Sequence, residues 1–204
     1  MGRRLRFSVL TLSLPVDSPS EFERVGPLKL VKSPRCECCG TELNNLQQLP
    51  PYHFEIVRGR PHDFLTDGMV FAVSERCVEA FRNCGLTGLD FSTEPIQLSN
   101  CRDSYFMATP VCTRTLLDEA ASGVVIDRVR GCENCRVMAL HAIKRIVIRE
   151  ETWSGWDVFT CGNLFSEILV SERFVNLIAD FDLEGFSFIP QDQFQFDYRF
   201  PGQL

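Results

Sequence analysis

The stretch "SERCVEAFRNCGLTGLDF" at residues 74–91 returns 97 residues later as "SERFVNLIADFDLEGFSF" at residues 171–188. Aligned at that offset, residues 71–94 and 168–191 share eight of 24 positions: Val73, Ser74, Glu75, Arg76, Val78, Leu86, Gly88 and Phe91 in the first copy. Periodicity says more than identity. Phe174, Leu177, Ile178 and Phe181 fall at i, i+3, i+4, i+7, one face of a helix. The first copy holds Cys77, Ala80, Phe81 and Cys84 at those positions. All four, the two cysteines included, are therefore expected in a core, where a thiol behaves as a small hydrophobe. Ser74 and Ser171 stand where an N-cap belongs, each followed by a glutamate that favours the helix dipole. Gly85 ends the first helix. With "MVFAV" and "EILV" before the helices and "GLDF" and "GFSF" after them, each copy is expected to run strand, helix, strand.

The repeat sets the expected organisation. The fold class is α+β, with internally duplicated β-α-β units, a mainly antiparallel sheet and a zinc-ribbon-like CxxC...CxxC site. Residues 1–110 form the first unit and residues 111–204 the second, packed as one globular body. A chain of 204 residues buries a real core without staples. The opening "MGRRLRFSVLTLSLPV" has a basic end and a short apolar run, and is expected as an edge strand rather than a leader peptide. No apolar run approaches a membrane-crossing length, so no membrane is expected. "HFEIVRG" and "RIVIREE" alternate as strands do, and "QFQFDYRF" places Phe194, Phe196, Tyr198 and Phe200 on one face. "LLDEAASGVV" is expected as a short helix.

Ten cysteines are many for this length. "CECCG" and "CENCR" each contain C-x-x-C, and Cys36 and Cys132 lie 96 residues apart, close to the repeat offset. A tight C-x-x-C turn sets two thiolates at adjacent corners of a zinc tetrahedron. Cys36, Cys39, Cys132 and Cys135 are therefore the expected ligands of one structural Zn²⁺. Cys38 competes with Cys39, and disulfides or free thiols remain the alternatives to metal. Core filling is the expectation for Cys101, Cys112 and Cys161.

Charge is uneven. The net charge is −6, yet residues 150–204 alone carry ten acids and two bases. That balance argues against a nucleic-acid binder, which concentrates basic residues, and suits a basic protein partner. Glu172, Asp180, Asp182 and Glu184 are the expected partner-binding acids. Trp153 and Trp156, in "TWSGWDVFTCGNLF", are candidate anchors, although core packing competes for them. G-x-S-x-G, P-loop and H-E-x-x-H are all absent, and His53, His62 and His141 share no common context. No catalytic residue is expected, and the chain is read as not an enzyme.

The paired knuckles, followed by "WDVF…GNLF…ILVSERFVNLI…DLEGFSF", resemble the bacterial double-CxxCG motif family. The resemblance is clearest over about residues 132–191 and looser from Cys36 to Phe91. Its motif residues are Cys36, Cys39 and Gly40, then Cys132 and Cys135. Arg136 stands where the motif has glycine, and Cys38 is additional. The resemblance implies an immunity protein, cytoplasmic, that neutralises a polymorphic or contact-delivered toxin, with a basic nuclease suited to the acidic charge. A zinc-ribbon adaptor or regulator, binding another protein or nucleic acid, is the alternative. A metal- or thiol-dependent enzyme is the third class.

Overall fold

The computed structural model describes residues 6–11, 21–25, 35–40, 50, 52–66, 71–99, 101–130, 132 and 137–197. The elements in chain order are β1 (Phe7–Leu10), β2 (Glu21–Arg24), β3 (His53–Arg58), β4 (Phe64–Thr66), β5 (Phe71–Ser74), α1 (Glu75–Asn83), β6 (Leu89–Phe91), β7 (Gln97–Ser99) and β8 (Tyr105–Cys112). There follow α2 (Glu119–Ser122), β9 (Val125–Arg130), β10 (Val137–Ile143), a 3-10 turn at Glu150–Thr152, β11 (Val158–Cys161), β12 (Leu164–Ser171), α3 (Glu172–Asp180), β13 (Phe188–Pro190) and β14 (Phe196–Asp197). The main sheet has the order β13-β1-β12-β11-β8-β5-β4, with β6 also paired to β8. Two three-stranded sheets, β14-β10-β9 and β2-β3-β7, flank it. Most pairings are antiparallel, and β8–β11 and β3–β7 are parallel. The class is α+β.

Both long helices start on the expected serines. Ser74 and Ser171 hold extended backbone and accept from the N–H of Cys77 and Phe174. Cys77, Val78, Ala80 and Phe81 of α1 share one core with Phe174, Leu177 and Ile178 of α3, and the Phe81 and Phe174 rings meet edge to face. Burying an aromatic or leucine side chain here contributes about 2–3 kcal/mol.

The two helices also make matching polar contacts. In each case a buried aspartate collects the bonds, Asp63 just ahead of β4 and Asp157 just ahead of β11. Asp63 accepts from Ser74 Oγ at 2.6 Å and from Arg76 Nη2 at 2.7 Å. Asp157 accepts from Ser171 Oγ at 2.8 Å and from Arg173 Nη1 at 3.1 Å. Each aspartate then takes a backbone N–H from the turn that follows the other helix. Glu184 N donates to Asp63 Oδ2 at 2.9 Å, and Thr87 N donates to Asp157 Oδ2 at 3.1 Å. Glu184 and Thr87 are themselves 97 residues apart. The arginines close the loop: Arg76 donates to Asp182 O, and Arg173 donates to Cys84 O. The repeated S-E-R is thus a cap, a dipole partner and a reach into the other turn.

Several expectations change. Cys77 is buried, but Cys84 and Phe181 are exposed, Phe181 at 42%. Both are C-cap residues, where the chain leaves the helix axis and the fourth position of the stripe swings off the core. The N-terminal strand is not an edge: β1 sits between β12 and β13. "RIVIREE" buries Ile146 and Ile148 yet forms only the isolated bridge Leu117↔Ile148, because it leads straight into the 3-10 turn. "QFQFDYRF" keeps Phe194 and Phe196 half-buried, and the described part of its strand is Phe196–Asp197, while Tyr198 and Phe200 lie outside the described residues. Cys161 is buried, Cys101 is half-buried against the core around Phe54 and Tyr105, and Cys112 is exposed, so core filling fails for Cys112.

Candidate functional site

The segment around Cys36 folds as a tight turn. Gly40 N donates to Cys36 O at 2.8 Å, and Gly40 has φ 72, a left-handed conformation that glycine adopts without a Cβ penalty. Cys36 is buried, whereas Cys38 and Cys39 are exposed. The turn brings its sulfurs to Cys132, in the connection from β9 to β10. Cys36 Sγ and Cys132 Sγ are 3.8 Å apart, across 96 residues of chain. Cys36, Cys38 and Cys132 form a group whose sulfurs all lie within 4.8 Å of one another, a group that can hold a metal ion. The donor set fits a soft metal. A Zn–S bond of about 2.3 Å sets tetrahedral corners about 3.8 Å apart. A disulfide needs sulfurs at about 2.05 Å. Of the four expected ligands, the structure brings together Cys36 and Cys132. Among the described residues the third member of the group is Cys38, and Cys135 lies outside the described residues.

The expected partner residues spread over α3 and its exit. Glu172, Asp180 and Asp182 are exposed. Glu184 is different: its carboxylate takes Arg60 Nη2 at 2.8 Å and lies 3.0 Å from His62 Nδ1. The His62 hydrogen bond, and then that of Arg60, hold its carboxyl below the usual glutamate value. Glu184 lines a cleft of about 560 Å³ with His62, Asp63, Glu75, Arg76 and Glu79 at the start of α1. Sequence reasoning missed this cleft. Its walls come from the segment just before β4, the start of α1, the approach to β8 and the turn after α3, and only the tertiary fold joins them.

Trp153 and Trp156 are half-buried. The Trp153 ring meets Phe7 edge to face at 5.3 Å, and its Nε1 donates to Trp156 O at 3.2 Å. Both pack against the core formed by Phe7, Val9, Phe159 and Leu169. The thiols of Cys77 and Cys161 are pushed up to about 12, chiefly by burial, so both stay protonated at neutral pH. Ser74 Oγ is committed as helix cap and as donor to Asp63. Among the described residues no helix is long and apolar enough to cross a membrane.

What these residues assemble is an α+β scaffold with a thiol cluster at one place and an acid-rich helix exit at another. Residues 20–193 match the model of an immunity protein family, Imm11, and the chain belongs to that family. The match supports the immunity class reached through the knuckles, but it does not confirm the double-CxxCG motif itself. No curated protein matches the chain.

Proposed function

We propose that this chain binds and neutralises a cognate bacterial toxin in the cytoplasm, by contact and not by catalysis. The family match over residues 20–193 carries the reading. Rigidity supports it. An inhibitor that keeps its shape spends little free energy on ordering itself when it binds. The reciprocal Asp63 and Asp157 contacts supply that rigidity. Their correspondence supports a duplicated β-α-β origin, with residues 1–110 and 111–204 as the two units. A structural Zn²⁺ held by the two cysteine knuckles, Cys36, Cys39, Cys132 and Cys135 in the sequence reading, would staple the scaffold.

The contact surface is the acidic exit of α3. Asp180 and Asp182 are exposed beside the exposed Phe181 ring, an aromatic centre with a charged rim. Such a surface suits a basic toxin, a nuclease among them, because long-range attraction raises the encounter rate. Glu172 extends it along the helix, and Trp153 and Trp156 are the secondary candidates.

Two measurements test this. Co-expression with a candidate toxin from a neighbouring gene should protect cells, and the two proteins should co-purify. Failure of protection with a folded, abundant protein rejects the immunity reading. Asp180→Lys combined with Asp182→Lys should then slow association about tenfold at low salt, and less at high salt. Glu184 is left intact there, since its loss would also free Arg60 and His62. An unchanged association rate moves the contact to the Trp153–Trp156 loop.

A further inference from the structure

The cleft at the start of α1 adjoins the acidic exit of α3. Glu184 lines it, and so does Arg76, which also donates to Asp182 O. Resting on the toxin-binding reading, we propose that this cleft receives one basic side chain of the toxin, an arginine or a lysine. Its charge is unbalanced. Asp63 is matched by Arg76, and Glu184 by Arg60 and His62. Glu75, Glu79 and Asp103 then stand against Arg102 alone. Among the described residues, the side chains of Glu75, Glu79 and Arg102 take part in no ion pair or hydrogen bond. Glu75 and Glu79 are exposed and four residues apart on α1, where like charges repel. The helix dipole favours Glu75, in the first turn, but gives little to Glu79. One repeat later α3 carries Glu172 and the neutral Asn176 at these places, so the second glutamate belongs to the half that has the cleft. A separate observation comes from His62. Its Nδ1 lies 3.0 Å from Glu184 Oε2, and its Nε2 is buried without a hydrogen-bond partner among the described residues. When the Nδ1 proton faces Glu184 in the neutral ring, Nε2 is an acceptor, and a buried acceptor left unmet marks a place for a donor.

A guanidinium or ammonium group matches all of this at once, since it brings positive charge and several N–H donors and needs no donor in return. The cleft is also held in shape before any partner arrives. Tyr105 Oη donates to His62 O at 2.9 Å, Glu75 N to Ser104 O at 2.9 Å and Glu184 N to Asp63 Oδ2 at 2.9 Å, so each wall is tied to the next. A preformed pocket spends little on ordering itself when it is filled. The two parts of the surface then divide the work. Asp180 and Asp182 at the rim set the rate of encounter, and the cleft sets how long the complex lasts.

Glu79→Gln, alone and combined with Glu75→Gln, tests the cleft in the full chain. Glu79→Gln should unfold in denaturant at the same midpoint as the parent or slightly later, because a repulsion between like charges is removed. Measured against the toxin that the parent neutralises, the double variant should dissociate about tenfold faster, while its association rate changes less. The toxin's arginines and lysines are then replaced by alanine one at a time, and double-mutant cycles with Glu79→Gln should find the coupling confined to a single basic residue. An unchanged dissociation rate, or coupling spread evenly over many basic residues, would overturn the cleft, while continued protection of cells by the parent would leave the immunity reading standing. A loss of stability large enough to account for the faster dissociation would make Glu79 a structural residue and overturn the cleft in the same way. A folded, abundant parent that protects against no toxin would instead reject the immunity reading itself, and the proposed occupant with it.

Discussion

The turns that follow the two long helices make the same backbone bonds with different side chains. After α1 the chain passes Gly85 at φ 59 and delivers Thr87 to Asp157. After α3 it passes Asp182 at φ 49 and delivers Glu184 to Asp63. Leu86 and Leu183 then donate to Phe81 O and Ile178 O, again in step. Thr87 turns its hydroxyl inward, donating to Asp157 Oδ2. Glu184 sends its carboxylate outward to Arg60 and His62. The backbone bonding is common to both turns, and the charge is confined to the second. That is the pattern expected when a scaffold stays fixed and one surface is adapted for contact.

The largest test strikes the shared geometry at its tightest point. Gly88 has φ 100, and a Cβ there would stand 1.9 Å from Val158 O. Its counterpart Gly185 has φ 90, with a Cβ 2.7 Å from Phe64 O. In both cases the obstacle is backbone, which has nowhere to move. Gly88→Ala should lose about 4 kcal/mol in denaturant unfolding, and Gly185→Ala about 2–3 kcal/mol. Equal costs would mean that the two crossings are equally tight in solution.

The aspartates come next. Asp157 has a side chain only 3% exposed and Asp63 one of 11%. Alanine at either strands a serine hydroxyl, a backbone N–H and an arginine. The arginines are more than half exposed and rehydrate, so the cost is that of the buried neutral groups: about 3 kcal/mol at Asp157 and about 2 kcal/mol at Asp63. Asp63 adds a pH signature. Burial alone would raise its carboxyl. The hydrogen bonds from Arg76, Ser74 and Glu184 N–H, with the charge of Arg76, hold it below the usual aspartate value instead. A lowered folded pKa gives stability that is complete above the unfolded value of about 3.9 and is lost as pH falls through the folded value. Asp63→Asn should therefore be less stable than the parent at pH 7, with the gap closing below about pH 4. A gap that is constant from pH 7 to pH 3 would show that the charge of Asp63 contributes nothing.

Much of this was legible in the chain. Serine and glutamate ahead of a 3.6-residue apolar stripe identify a capped helix twice over, and both caps are present. The aspartates were not legible, for a reason of register. Asp63 lies 11 residues before Ser74, whereas Asp157 lies 14 before Ser171. A fixed offset of 97 therefore never aligns them, and their partners sit in the opposite half. The stripe also misled at its last step, since periodicity alone does not show where a nine-residue helix stops, and Cys84 and Phe181 fall on the caps. At the thiol cluster the C-x-x-C spacing pointed to Cys39. Among the described residues, the turn closed by Gly40 brings Cys38 into the group with Cys36 and Cys132, and a spacing rule carries no information about which way a turn faces.

The smallest test exchanges the one residue that differs at the left-handed position. Asp182 is the only non-glycine with positive φ among the described residues. An L side chain there carries strain, eased for aspartate by its tolerance of this region. Asp182→Gly relieves that strain but frees the unfolded chain, so the net gain should be about 0.5 kcal/mol. Gly85→Asp, the reverse change in the other half, should cost about as much. Asp182 also places a carboxylate just beyond the end of α3, where the helix dipole disfavours negative charge. Glycine removes that penalty as well, and unfolding of Asp182→Gly should show the gain more clearly at low salt than at high salt. If the variant is more stable and yet associates more slowly with the toxin, Asp182 is retained for contact at the expense of the fold. If it is more stable and associates as fast as the parent, the second turn's charge lies off the interface, and the asymmetry between the two halves needs another cause.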